Sequence, residues 1–286
     1  MNDVIFRAGY LPGLSPEEVQ WRPLTLGAPG QSCVVEVPQL SPAQMATLAD
    51  RVKHASRLHL KPVPVSDIVR VLDAAIARLL DQHDPYRQTL ETLLPITSGF
   101  DAEMVRLGLA SYLRTFRALQ LHRFVAEDFS NPKILDEFQP RTKGGWSKAI
   151  GPDLLVHVWA GNVPGLPLWS FVSGLLVKAG NIGKIASAEP VFASIFARLL
   201  AEIEPRWSDC FAVVWWPGGD EAIERGIFGT ADTVLAYGSN ATLRSIQERL
   251  PATARFLPHG HKLSLAVVSA SALSLRRGQT VARQAA

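Results

Sequence analysis

The sequence predicts an α/β protein, a doubly wound and mostly parallel sheet preceded by a helical N-terminal region. Two patterns predict this. After about position 140, short runs of almost purely apolar residues alternate with amphipathic stretches, as in a parallel sheet covered on both faces. Before Pro140 the apolar residues recur at helical spacing. The expected division is therefore a mainly helical region at 1–140 and a nucleotide-binding domain at 141–286. The chain has 286 residues, 47% hydrophobic and 19% charged. That balance excludes intrinsic disorder and leaves ample material for a core.

The elements follow in order. Ser32 to Val37 is a candidate strand. Ser41-Pro42-Ala43-Gln44 supplies an N-cap, a proline at the first helical position and a capping-box glutamine, with Met45, Leu48 and Val52 on one face. After Pro62 and Pro64, the stripe Ile68, Val71, Leu72, Ala75, Ile76, Leu79 and Leu80 marks a second helix that ends before Asp84-Pro85. A third is expected from Asp101 to about Phe124, with Met104, Leu107, Leu113 and Phe116 facing inward. Phe138 to Lys148 reads as a connector. Beyond it, strands are expected at Asp153–Trp159, Ile182–Ala186, Phe211–Trp216, Thr233–Tyr237 and Leu263–Val268. Helices between them run from Leu166 to Lys178, from Pro190 to Pro205, from Gly218-Gly219-Asp220 onward, and from Asn240 to Leu250, with Asn240 a candidate cap.

Several function classes fall away. The net charge of +3 arises without a basic block and predicts no nucleic-acid partner. Cys33 and Cys210 cannot build a disulfide framework and suit a reducing compartment. The start of the chain lacks the pattern of a secretory signal, so a cytoplasmic location is expected. Leu154 to Val177 carries no charge and is long enough to span a bilayer, but Gly161, Asn162, Pro164, Gly165 and Pro167 interrupt it where lipid offers no replacement hydrogen bonds. His259 and His261 lack a third ligand at zinc spacing, so no metal is expected.

Doubly wound sheets bind ligands beyond the C-terminal ends of their strands. The informative loops are those after Trp159, Ala186, Trp216 and Tyr237. They contain neither a Gly-x-Gly-x-x-Gly fingerprint nor a P-loop. In Ala160-Gly161-Asn162-Val163-Pro164-Gly165, Asn162 is a neutral amide suited to a developing oxyanion, or equally a cap for the next helix. By position alone Lys184 reads as a solvated strand-end lysine.

Ala-Gly-Asn-Val-Pro-Gly (160–165), Leu-Leu-Val-Lys-Ala-Gly-Asn (175–181), Trp-Trp-Pro-Gly-Gly-Asp (215–220), Ala-Tyr-Gly-Ser (236–239) and Gly-His-Lys-Leu-Ser (260–264) together resemble the long-chain acyl-CoA reductases. These include the reductase of the bacterial bioluminescence fatty-acid reductase complex and belong to the aldehyde dehydrogenase superfamily. The resemblance covers about Pro152 to Val268, and more loosely Ser41 to Pro140. It implies NADPH-dependent reduction of a fatty acyl-CoA or acyl-protein thioester to an aldehyde through a cysteine acyl-enzyme. It also implies roles for single residues. Asn162 matches the oxyanion donor, and His261 is the acid–base candidate. Lys184 matches the lysine at the adenosine ribose, and Ser187 stands where NAD-preferring relatives often carry a glutamate. Gly238 and Ser239 match the turn that meets the pyrophosphate, with Gly218 a weaker candidate. A homo-oligomer or an acyl-protein synthetase is the implied partner. In the family the reactive cysteine lies in a further catalytic domain, which is expected to be absent from this chain. Neither Cys33 nor Cys210 matches it. The alternative is a noncatalytic nucleotide-binding or interaction module.

Overall fold

The computed structural model describes residues 4–129 and 131–262, together with 265 and 267. The expected strand at Leu263–Val268, apart from Leu265 and Val267, lies outside them. Three strands come first: β1 (Val4–Arg7), β2 (Gln20–Ala28) and β3 (Gln31–Gln39). They form a small sheet in the order β1-β3-β2, with β1 parallel and β2 antiparallel to β3. The helical reading of this region overlooked β2, whose Pro23 and Gly27 are poor strand formers. It is an edge strand, where a missing N–H is tolerated.

Five helices follow. The capping box forms as expected at α1 (Pro42–His59), where the Ser41 hydroxyl accepts from Gln44 N–H. Then come α2 (Val65–Leu80) and α3 (Pro85–Ser98). The sequence pattern does not predict α3, because Asp84-Pro85 reads as the stop of α2. Asp84 instead caps α3 by accepting from Tyr86 N–H, with Pro85 at its first position. The single helix expected from Asp101 to Phe124 is two, α4 (Ala102–Arg114) and α5 (Ala118–Asp128). Asp73 of α2 causes the break: its carboxylate accepts from the Ala118 N–H and binds the Arg117 guanidinium, so it caps a new helix there. Leu113 and Phe116 are buried as expected, but Met104 and Leu107 are 58% and 55% exposed. The connector holds a short hairpin, β4 (Gln139–Pro140) and β5 (Trp146–Ser147).

The alternating half then builds β6 (Leu154–Val158), α6 (Leu166–Leu176), β7 (Gly180–Lys184), α7 (Phe192–Ile203), β8 (Phe211–Val214), α8 (Glu221–Thr230), β9 (Thr233–Tyr237), α9 (Asn240–Arg249) and β10 (Arg255–His259). All five strands are parallel, in the order β10-β9-β6-β7-β8. Their apolar composition follows from burial on both faces. On one face, Met45, Leu48 and Val52 of α1 share a core with Val156, Ile182 and Phe228. On the other, Phe171 of α6 and Phe196 of α7 join Ile68 and Leu72 of α2. The chain order reverses between β6 and β9, and a crevice opens above that point.

Candidate functional site

A cleft of about 410 Å³ lies beyond the C-terminal ends of β6, β9 and β10. The loop after β6 forms one wall with Gly161, Asn162 and Val163, while Gly238, Gly260 and His261 contribute another. Two glycines shape the first wall. A Cβ on Gly161 would stand 2.9 Å from Ala186 Cβ and 3.0 Å from Ala188 Cβ, so the loops after β6 and β7 can close on each other only with glycine there. Gly165, at φ 81°, is the residue that begins α6. Asn162 is therefore not the helix cap. Its side chain is exposed at the cleft and hydrogen-bonds no other described residue, which leaves its amide available to a ligand.

Around the cleft the aromatic and acidic side chains are fixed. Tyr237, the last residue of β9, stacks on His259 with ring centroids 4.9 Å apart, and burial raises its phenol pKa. Glu189 follows β7 and is buried; its Oε1 accepts from Val191 N–H and Phe192 N–H, both at 2.9 Å. Burial pushes this carboxyl up to about 7. His157, in the middle of β6, is buried against Trp159. Asn181 Nδ2 donates to Ala179 O, so Asn181 Oδ1 is the acceptor at 2.8 Å from His157 Nε2, and Nε2 carries the proton. Burial brings its pKa down to about 4.

The structure brings Asn162, Gly238 and His261 together on one cleft. Ser239 adjoins them as the N-cap of α9: its hydroxyl accepts from Thr242 N–H, which corrects the expectation that Asn240 caps the helix. Lys184, Ser187 and Gly218 do not line this cleft. They sit at the ends of the neighbouring strands β7 and β8, as their loops require. Lys184 Nζ lies 5.6 Å from the Trp216 ring centroid, and burial lowers its pKa against the opposing pull of Glu224. The Ser187 hydroxyl accepts from Trp215 Nε1 at 2.9 Å. Cys33 and Cys210 are buried in β3 and just before β8, away from the cleft, and burial drives the Cys210 thiol up to about 12. Sequence reasoning missed Tyr237 as a site residue.

A second cavity, of about 310 Å³, adjoins the cleft and shares Val163 and Leu166 with it. Its remaining wall is mostly apolar and comes chiefly from α3 and α4, with Leu94, Val105 and Leu109 among its residues, and from Phe100 between them and Pro164 after β6. Among the described residues there is no cluster of three or more His, Cys, Asp or Glu side chains placed to hold a metal ion, and no helix long and apolar enough to cross a membrane.

A nicotinamide dinucleotide fits this chemistry. Among the described residues no acidic side chain lines the cleft, Gly238 on its wall leads into the start of α9, and an ammonium and a small hydroxyl stand at the next strand end. The solved structures similar to this chain agree on the fold. Aldehyde dehydrogenase 21 from Physcomitrella patens superposes with a TM-score of 0.69 at 16% identity, over 92% of this chain and 53% of that one. The NADP-dependent glyceraldehyde-3-phosphate dehydrogenase from Bacillus halodurans, solved with NADP, does so with a TM-score of 0.65 at 16% identity, over 84% of this chain and 49% of that one. The fold is thus aldehyde dehydrogenase-like. Long-chain acyl-protein thioester reductase 2 from Photobacterium leiognathi is 29% identical over 175 residues, 59% of this chain and 36% of the relative. The chain thus spans less than half the length of that relative. The family model for acyl-CoA reductase (LuxC) matches residues 60–286, most of the chain, and the chain belongs to that family.

Proposed function

We propose that this chain forms the cofactor-binding part of an NADPH-dependent reductase that converts a long-chain acyl thioester, on CoA or on a protein, into a fatty aldehyde in the cytoplasm. The observation that carries the reading is the cleft at the reversal point of the sheet, where Asn162, whose amide hydrogen-bonds no other described residue, shares the wall with Gly238 and His261. The reaction consumes one hydride and one proton: the carbon–sulfur bond breaks, a carbon–hydrogen bond forms, and the thiol leaves protonated. The dinucleotide supplies the hydride when bound. Asn162 donates to the oxygen of the reacting carbonyl, a contact worth roughly 3 kcal/mol at the transition state when the donor is preorganised. His261, on the same cleft, is the group that exchanges a proton with the departing or attacking thiol.

Lys184 and Ser187 serve the adenosine end. Ser187 brings no charge against a 2'-phosphate, and Lys184 brings a positive one, which favours NADPH over NADH. The acyl chain leaves its carbonyl beside Asn162 and extends past Val163 into the cavity, whose wall is mostly apolar, Tyr112 being its one polar side chain among the described residues. The attacking thiol belongs outside this chain's own cysteines, since both are buried away from the cleft. A homo-oligomer or an acyl-protein synthetase is the proposed partner, with Phe138, Trp146 and Ile150 as exposed apolar residues available to a contact.

Titration calorimetry with NADPH and NADH, followed by incubation with myristoyl-CoA, tests the reading. The chain is expected to bind NADPH about tenfold more tightly than NADH, the worth of one added charge-assisted contact, and to release no aldehyde. Aldehyde formation would contradict the placement of the thiol. Failure to bind either nucleotide would overturn the reductase reading and favour an interaction module.

A further inference from the structure

α4 turns one face to the apolar cavity, with Met104, Val105, Gly108, Leu109 and Tyr112 three and four positions apart. Gly108 is the anomaly on that face. Inside a helix a glycine is less favourable than alanine. Gly161 and Gly165 have local reasons to be glycine, but Gly108 has none. Its backbone is outside the left-handed region, and a Cβ built on it meets no atom within 4 Å beyond its own helix. What the missing side chain leaves is room, one turn from Met104 on one side and one turn from Tyr112 on the other. The surroundings fit a cavity built for a guest: Phe100, Met104 and Val163 line it and are 40%, 58% and 48% exposed, an unfavourable state for side chains of their size.

We infer that Gly108 determines the length of the acyl chain the cavity admits, its bare helix face letting the unbranched tail of the thioester pass between Met104 and Tyr112. The inference rests on the acyl reading above, which places the carbonyl at Asn162 and the tail beyond Val163. A side chain at position 108 narrows the passage, so it excludes long chains while tolerating short ones.

Displacement of the fluorescent fatty acid cis-parinaric acid by myristate and by octanoate tests this on the 286-residue chain and on Gly108→Ala and Gly108→Leu. Gly108→Leu is expected to lose about tenfold or more in affinity for myristate, with a smaller loss for octanoate, because several buried methylene groups are turned out of the cavity. NADPH affinity is expected to stay within about twofold in both variants, since position 108 lies off the nucleotide cleft. Gly108→Ala, which helix propensity favours, is expected to melt no lower than the parent and to shift selectivity the same way by a smaller factor. An unchanged myristate-to-octanoate ratio in Gly108→Ala and in any folded Gly108→Leu would overturn the role of Gly108. A parent chain that binds NADPH but no fatty acid would overturn the acyl reading beneath it.

Discussion

Glu189 and His157 are both sealed beneath the strand ends, and burial moves them in opposite directions. Glu189 titrates near 7 in the folded chain against an ordinary value of 4.5, so the fold favours its protonated form. Its contribution to stability is complete below about 4.5 and is lost as pH rises through about 7. His157 titrates near 4 against an ordinary 6.5, so the fold favours its neutral form, and that contribution is lost as pH falls from 6.5 through about 4. Between about 4.5 and 6.5 the contributions of these two groups have opposite slopes and nearly cancel each other. Glu189→Gln removes one of them. Relative to the parent, that variant is expected to gain about 3 kcal/mol of unfolding free energy across the window from 4.5 to 7. Denaturant melts on either side of the window check this, and parallel pH profiles for the two proteins would show that Glu189 ionises as freely as a surface carboxylate.

At the scale of elements, the cleft depends on how closely the loops after β6 and β7 approach. Gly161→Ala forces a methyl against Ala186 and Ala188 and is expected to cost about 1–3 kcal/mol, the usual penalty for overpacking. It should also weaken NADPH binding, because the loop that carries Asn162 must move. Equal stability and equal affinity in a thermal melt and a titration would mean that this contact does not shape the cleft. The elements around it were largely legible in the sequence, because parallel strands buried on both faces have an unambiguous composition, and because α6 carries a proline in its first turn while α8 and α9 start on capping side chains. Asn162, Gly238 and His261 converge because all three follow strand ends at one edge of the sheet, which topology alone dictates. Other features depend on contacts distant in sequence. The break between α4 and α5 is made by Asp73, 44 positions before Arg117. Exposure of Met104 and Leu107 is likewise invisible to periodicity, which reports an apolar face but not whether a protein core or a cavity lies against it.

The whole molecule is a sheet whose two faces are closed by helices from both ends of the chain. α1 lies on the same side as α8, and α2 lies on the side of α6 and α7, so residues before Pro140 complete cores begun by residues after it. That arrangement places Asn162, Gly238 and His261 around a common space at the reversal point between β6 and β9. The central claim is that this space holds the reduced dinucleotide. Amide hydrogen exchange with and without NADPH tests it most directly, since bound nucleotide slows local opening wherever it makes contact. The account predicts slowed exchange in 160–165 and 237–242, with a smaller effect near Lys184 and Ser187 and none in α4. Protection confined to other segments, or no change under saturating NADPH, would contradict it.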